Sequence, residues 1–117
     1  MIQAKFAMGG DKKVLLLTVK GHAGQAAAGQ DVVCAAASIL AYTAAQTVQV
    51  MHEEGRLEEK PILRLKAGDA AIICKPTSAA FAEALHAYTV IQTGFGLLAR
   101  DCPAYVQVTV FGEGEAP

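Results

Sequence analysis

The sequence predicts an α+β two-layer domain. Five strands and two long helices run β-β-α-β-β-α-β, with both helices on one face of a mixed or antiparallel sheet. Three observations carry this. Two pairs of short alternating runs are each joined by a glycine-containing turn. Each pair is followed by a long run with helical spacing, and a last alternating run closes the order. The 117 residues hold no linker or repeat, so residues 1–117 are read as a single domain.

Residues 2–8 alternate, with Ile2, Ala4, Phe6 and Met8 on one side. Gly9-Gly10-Asp11 breaks the run, and 14–20 is the second strand of a hairpin. Residues 21–31 carry three glycines and no large apolar side chain, which makes them a loop. The first helix spans 32–54, with Asp31 as its N-cap and Gly55 as its stop. Pro61 opens the strand 62–66, and Ala67-Gly68-Asp69 turns the chain into 70–75. Thr77 caps a second helix over 78–100, whose stripe is Phe81, Leu85, Tyr88, Gln92, Phe95 and Ala99. Pro103 ends it, and 104–111 is the last strand.

Composition excludes several classes. Apolar residues make up 53% and charged residues 18%, which excludes a disordered polyelectrolyte. The formal charge is -1 with no block of like charge, so no direct nucleic-acid partner is expected. No uninterrupted apolar run of about 18 residues occurs, so no membrane span is expected. The first residues alternate like a strand rather than a signal peptide, which points to the cytoplasm. Three cysteines without paired spacing or a C-x-x-C argue against a disulfide scaffold and a zinc ribbon.

The chemistry gathers around the loop. Cys34 is the third residue after the proposed cap, where a helix start concentrates positive potential and favours a thiolate. Asp31 opposes that ionisation, while a nearby imidazolium would assist it. His22 lies at the other end of the loop, and a strand-loop-helix excursion can bring the two together. Cys plus His is the minimal pair for nucleophilic acyl transfer, with helix-start N–H groups available to an oxyanion.

Each residue also has a plainer reading: Cys34 as a buried small hydrophobe and His22 as a surface or capping histidine. On the residues alone, catalysis and packing both stay open. Ser38, one turn beyond Cys34, either bonds the site or packs as a small residue. A phosphate cradle is disfavoured, because the loop has no G-x-x-x-x-G-K-[ST] pattern and no lysine. No ligand spacing supports a metal, and no cofactor is expected. His52 and His86 read as structural, and Cys74 and Cys102 as small hydrophobes.

Gly21-His22-Ala23-Gly24, followed by Gly29-x-Asp31-Val32-Val33-Cys34-Ala35-Ala36-x-Ser38, closely resembles the bacterial ribosomal-processing cysteine protease family, Prp. The resemblance implies an endopeptidase. Its substrate would be the precursor of a large-subunit ribosomal protein, the twenty-seventh of that series. The enzyme would remove an N-terminal extension, cutting after an aromatic residue in an apolar motif. The family's catalytic histidine falls on His22, its nucleophile on Cys34, its motif aspartate on Asp31 and its motif serine on Ser38. Gly21, Gly24 and Gly29 belong to the same motif region as supporting or substrate-binding positions. Homodimers are implied, and both helices are more apolar than one sheet face can cover. The loop middle, Gln25-Ala26-Ala27-Ala28, departs from relatives.

The alternative class is a non-catalytic ribosome-assembly or peptide-binding module that captures a strand at a sheet edge. The three loop glycines also lead us to expect a mobile segment over 21–31 that orders on a bound peptide like a lid.

Overall fold

The computed structural model describes residues 1–11, 13–22 and 32–112. The elements are β1 (Ile2–Gly9), β2 (Val14–Lys20), α1 (Val32–Glu53), β3 (Ile62–Lys66), β4 (Asp69–Cys74), α2 (Phe81–Asp101) and β5 (Val106–Val110). They form one five-stranded sheet in the order β3-β4-β2-β1-β5. β1 pairs with β5 in parallel, and the other neighbours are antiparallel. The α+β class, the mixed sheet and the element order are those predicted.

The topology itself explains why both helices share a face. β2 and β3 run in the same direction, with β4 between them and α1 connecting them. β4 and β5 run the opposite way, and α2 connects them toward the other edge. Reversing both strand direction and lateral step preserves the face reached by a right-handed crossover. Ile2, Ala4 and Phe6 accordingly point to the same side as Leu15, Leu17 and Val19. α1 covers them with Val33, Ala37, Ala41, Ala44, Ala45, Val48 and Met51, and α2 with Ala84, Ile91 and Phe95.

By length and composition α1 could cross a membrane. In this fold seven of its residues are buried between the sheet and α2. It ends as expected: Gly55 has φ +72°, its N–H donates to His52 O, and the Arg56 N–H donates to Met51 O.

The start of α2 differs from expectation. Thr77 does not cap the helix; its Oγ1 accepts from the Ala80 N–H at 3.2 Å inside a preceding turn, and the helix begins at Phe81. Phe6 is fully buried in the core and meets Tyr88 and Phe95 edge-on at centroid distances of 5.4 and 5.8 Å. The Tyr88 hydroxyl reaches past the sheet face to the carbonyls of Leu16 (2.9 Å) and Ala7 (3.1 Å). Burial pushes the Tyr88 phenol up, so it stays protonated and able to donate.

Candidate active site

β2 and β4 pair with Lys20 opposite Asp69, so the end of β2 lies beside the β3–β4 turn. The Gly21 N–H donates to Gly68 O at 2.9 Å and carries the pairing one residue past the strand. Gly21 has φ +95°, and a Cβ there would run into the carbonyl oxygen of Met1. Only glycine fits, which gives this motif position a structural reason. Gly21→Ala is expected to destabilise the domain by about 1–3 kcal/mol, read as a lower urea midpoint; an unchanged midpoint would contradict the close approach.

His22 follows and is exposed. On α1, Val33 and Ala37 turn into the core. Cys34, Ser38 and Tyr42 follow one another at four-residue steps on the adjoining face. Cys34 is half-buried, and it stands in the first turn of a 22-residue helix. His22, Cys34, Ser38 and Tyr42 line one cleft of about 210 Å³, closed by Gly21, Leu65, Lys66 and the turn Ala67-Gly68-Asp69. Ile2, Val19, Ala37 and Ala41 supply apolar wall. The cleft is smaller than a typical drug-sized pocket and suits one side chain of an extended peptide.

Of the residues singled out in the sequence, Cys34, His22, Ser38 and Gly21 meet here. Asp31, Gly24 and Gly29 lie outside the described residues, as do the loop middle 25–28 and most of the expected lid. The sequence reading missed Tyr42 and the β3–β4 turn. Tyr42 was detectable at two helical turns from Cys34, whereas the turn enters only through the β2–β4 pairing.

The other cysteines contrast with Cys34. Cys74 is buried, which pushes its thiol up to about 11, so it is neutral and a poor nucleophile near pH 7. Cys102 follows the last turn of α2, where its N–H donates to Leu98 O, and it does not line the cleft. A second gap of about 200 Å³ lies between the helices, walled chiefly by apolar residues such as Leu17, Val48, Met51, Ile72 and Ile91. It brings together no nucleophile and base. Among the described residues no group of three His, Cys, Asp or Glu could hold a metal.

Asp69 lines the cleft, yet its Oδ1 accepts from Arg64 Nη2 at 3.0 Å. That hydrogen bond holds the Asp69 carboxyl below its ordinary value of 3.8. The pair therefore stabilises the folded chain at neutral pH, and the contribution is lost as pH falls below about 4 and through the lowered folded value. Thermal midpoints of wild type and Asp69→Asn should differ slightly at pH 7 and converge in acid. A gap that widens in acid would contradict the pairing. The effect is small, because both side chains are about 40% exposed.

A half-buried thiol at a helix start and an imidazole at a strand end share one cleft of a two-layer α+β domain, as in a cysteine protease. The family model for the cysteine protease Prp matches residues 1–107, and the chain belongs to that family. It is therefore a cysteine protease, which decides against the non-catalytic class considered above.

Two structures of the essential ribosomal processing protease Prp from S. aureus are similar to it. One carries a covalently linked product peptide and the other a substrate peptide. Both have TM-score 0.68, at 17% and 18% identity, and the match covers 95% of this chain and 100% of the other. SMU.848 from Streptococcus mutans also has TM-score 0.68, at 23% identity, with 95% and 94% of the two chains covered. No curated protein sequence matches the chain.

Proposed function

We infer that this protease removes the N-terminal extension of a large-subunit ribosomal protein precursor, the twenty-seventh of the series, during ribosome biogenesis in the cytoplasm. The observation that supports the catalytic assignment is that His22 and Cys34 line one cleft. The S. aureus relative, a ribosomal processing protease that has been captured with peptides, supports the substrate class.

His22 takes the proton from the Cys34 thiol, and the thiolate attacks the scissile carbonyl. Backbone N–H groups of the first turn of α1 stabilise the oxyanion. The C–N bond breaks as His22 returns the proton to the leaving amine. A water molecule, deprotonated by His22, then attacks the thioester, and departure of the thiolate releases the new carboxylate. Tyr42, Leu65 and the alanines of the cleft wall give an aromatic side chain of the substrate an apolar surface. Ser38 lies beside the nucleophile as a supporting residue.

A thiol-reactive probe at neutral pH should label Cys34 well ahead of Cys74 and Cys102. His22→Ala should remain folded and lose at least about 100-fold in turnover. Equal labelling of the three thiols, or unchanged turnover in His22→Ala, would contradict the assignment.

The active form is a homodimer joined through the outer faces of the helices. Val32, Ile39 and Val50 of α1 and Val90 and Leu97 of α2 are 40–65% exposed, an apolar surface that a second copy would cover. Light scattering at micromolar concentration should give about twice the chain mass of 12.2 kDa, and Val90→Asp should halve it. A wild-type mass near that of one chain would exclude the dimer.

A further inference from the structure

We propose that Gly68, at the β3–β4 turn, is a positioning residue for His22, because the absence of a side chain there makes the seat on which the imidazole rests. A Cβ on Gly68 would lie 2.5 Å from His22 Nε2, 2.8 Å from Cε1 and 3.3 Å from Cδ2. The atoms it would meet are the far end of the imidazole on an exposed side chain, so a substituent there turns the ring away at little cost to folding. Seating a side chain at this turn therefore requires the imidazole to move.

A second contact acts on the same histidine. The Gly21 N–H donates to Gly68 O at 2.9 Å, so the residue just before His22 is tied to the turn that carries its ring. The strand end that leads into His22 and the ring of His22 thus both meet one glycine. The β2–β4 register, with Lys20 opposite Asp69, brings the turn to this place. His22 is otherwise exposed at a strand end, with few packing constraints on its rotamer. The turn supplies what the surface lacks.

The inference rests on His22 being the general base, and it adds a requirement to that reading. Proton transfer needs the imidazole within hydrogen-bond reach of Sγ, and a displacement of about 1 Å can cost on the order of 100-fold in rate.

Gly68 also has φ +70°, so any substitution carries a backbone penalty in addition to the ring clash. Gly55 separates the two effects. It has φ +72°, and a Cβ there meets nothing within 4 Å. Gly55→Ala therefore carries the backbone cost alone. Gly68→Asn is the companion variant, because asparagine tolerates a left-handed backbone while keeping the offending Cβ.

The test measures kcat and KM on a fluorogenic peptide spanning the extension and cleavage site of the ribosomal-protein precursor. It also records the His22 ring-proton NMR signals of the unliganded protein. Gly68→Ala and Gly68→Asn should both lower kcat by about 10–100-fold with KM within about twofold, and should shift the His22 ring signals. Gly55→Ala should lose a similar amount of thermal midpoint to Gly68→Ala while keeping kcat within about twofold. A through-space contact between the His22 ring protons and the Gly68 Hα protons should be present in the wild type.

A Gly68→Asn variant that cleaves normally, or a kcat loss matched by Gly55→Ala, overturns the proposal while leaving the dyad intact. Absence of the ring contact in the wild type overturns it without reference to activity. The dyad itself fails by a different result: cleavage that survives Cys34→Ala.

Discussion

Cys34→Ala is expected to yield a folded protein with cleavage reduced by about 10,000-fold or more, to the level of uncatalysed background. The side chain is half-buried on the cleft side of α1, and the substitution removes one sulfur. Alanine is the best helix former, so stability should change by less than about 1 kcal/mol. Circular dichroism, urea unfolding and peptide cleavage on one preparation separate the two effects. The same substitution at Cys74, which faces the core from β4, should do the opposite, costing stability and sparing chemistry. A Cys34→Ala variant that cuts at a tenth of the wild-type rate would remove Cys34 from the nucleophile's role.

Phe6→Ala is expected to be the most damaging core substitution, at about 3–5 kcal/mol. Phe6 is fully buried in β1, the strand between β2 and β5, and it carries both edge-on ring contacts with α2. Its removal leaves a cavity facing Tyr88 and Phe95, whose helix cannot follow because the Tyr88 hydroxyl is tied to the β1 and β2 carbonyls. Against a total stability of about 5–15 kcal/mol for a domain of this size, the variant should be largely unfolded at moderate urea. A loss under about 1 kcal/mol would mean that the site collapses freely and that this core is not the support described above.

Much of this fold was legible in the sequence, for identifiable reasons. β2 falls on residues 14–20 and β3 on 62–66 as read, because period-two alternation there is bounded by Gly-Gly-Asp and by Pro61. The end of α1 was legible because Gly55 supplies a left-handed cap. The start of α2 was not. Thr77 is as good a turn former as a cap, and only the fold decides between them.

Strand partners were also out of reach. Alternation says which side of Ile2, Ala4 and Phe6 is buried, but not that β5 adds to β1 in parallel. The same gap affected the cleft. His22, Cys34 and Ser38 were visible from residue type and spacing. The turn at 67–69 that forms its third wall is remote in sequence and carries no chemical signal; it arrives only because β4 pairs with β2. Asp31, Gly24 and Gly29 carry the motif resemblance and lie outside the described residues, so their roles rest on that resemblance.

The proposed function requires that the cleft process a ribosomal-protein precursor through Cys34 and His22. Its most direct measurement is incubation of the purified protein with the full-length precursor, with new N-termini mapped by mass spectrometry. The expected result is a single new N-terminus, immediately after an aromatic residue at the end of the extension, formed by the wild type and absent with Cys34→Ala and His22→Ala. A precursor left intact by the wild-type protein, or cut at the same position by the Cys34→Ala variant, would contradict the account.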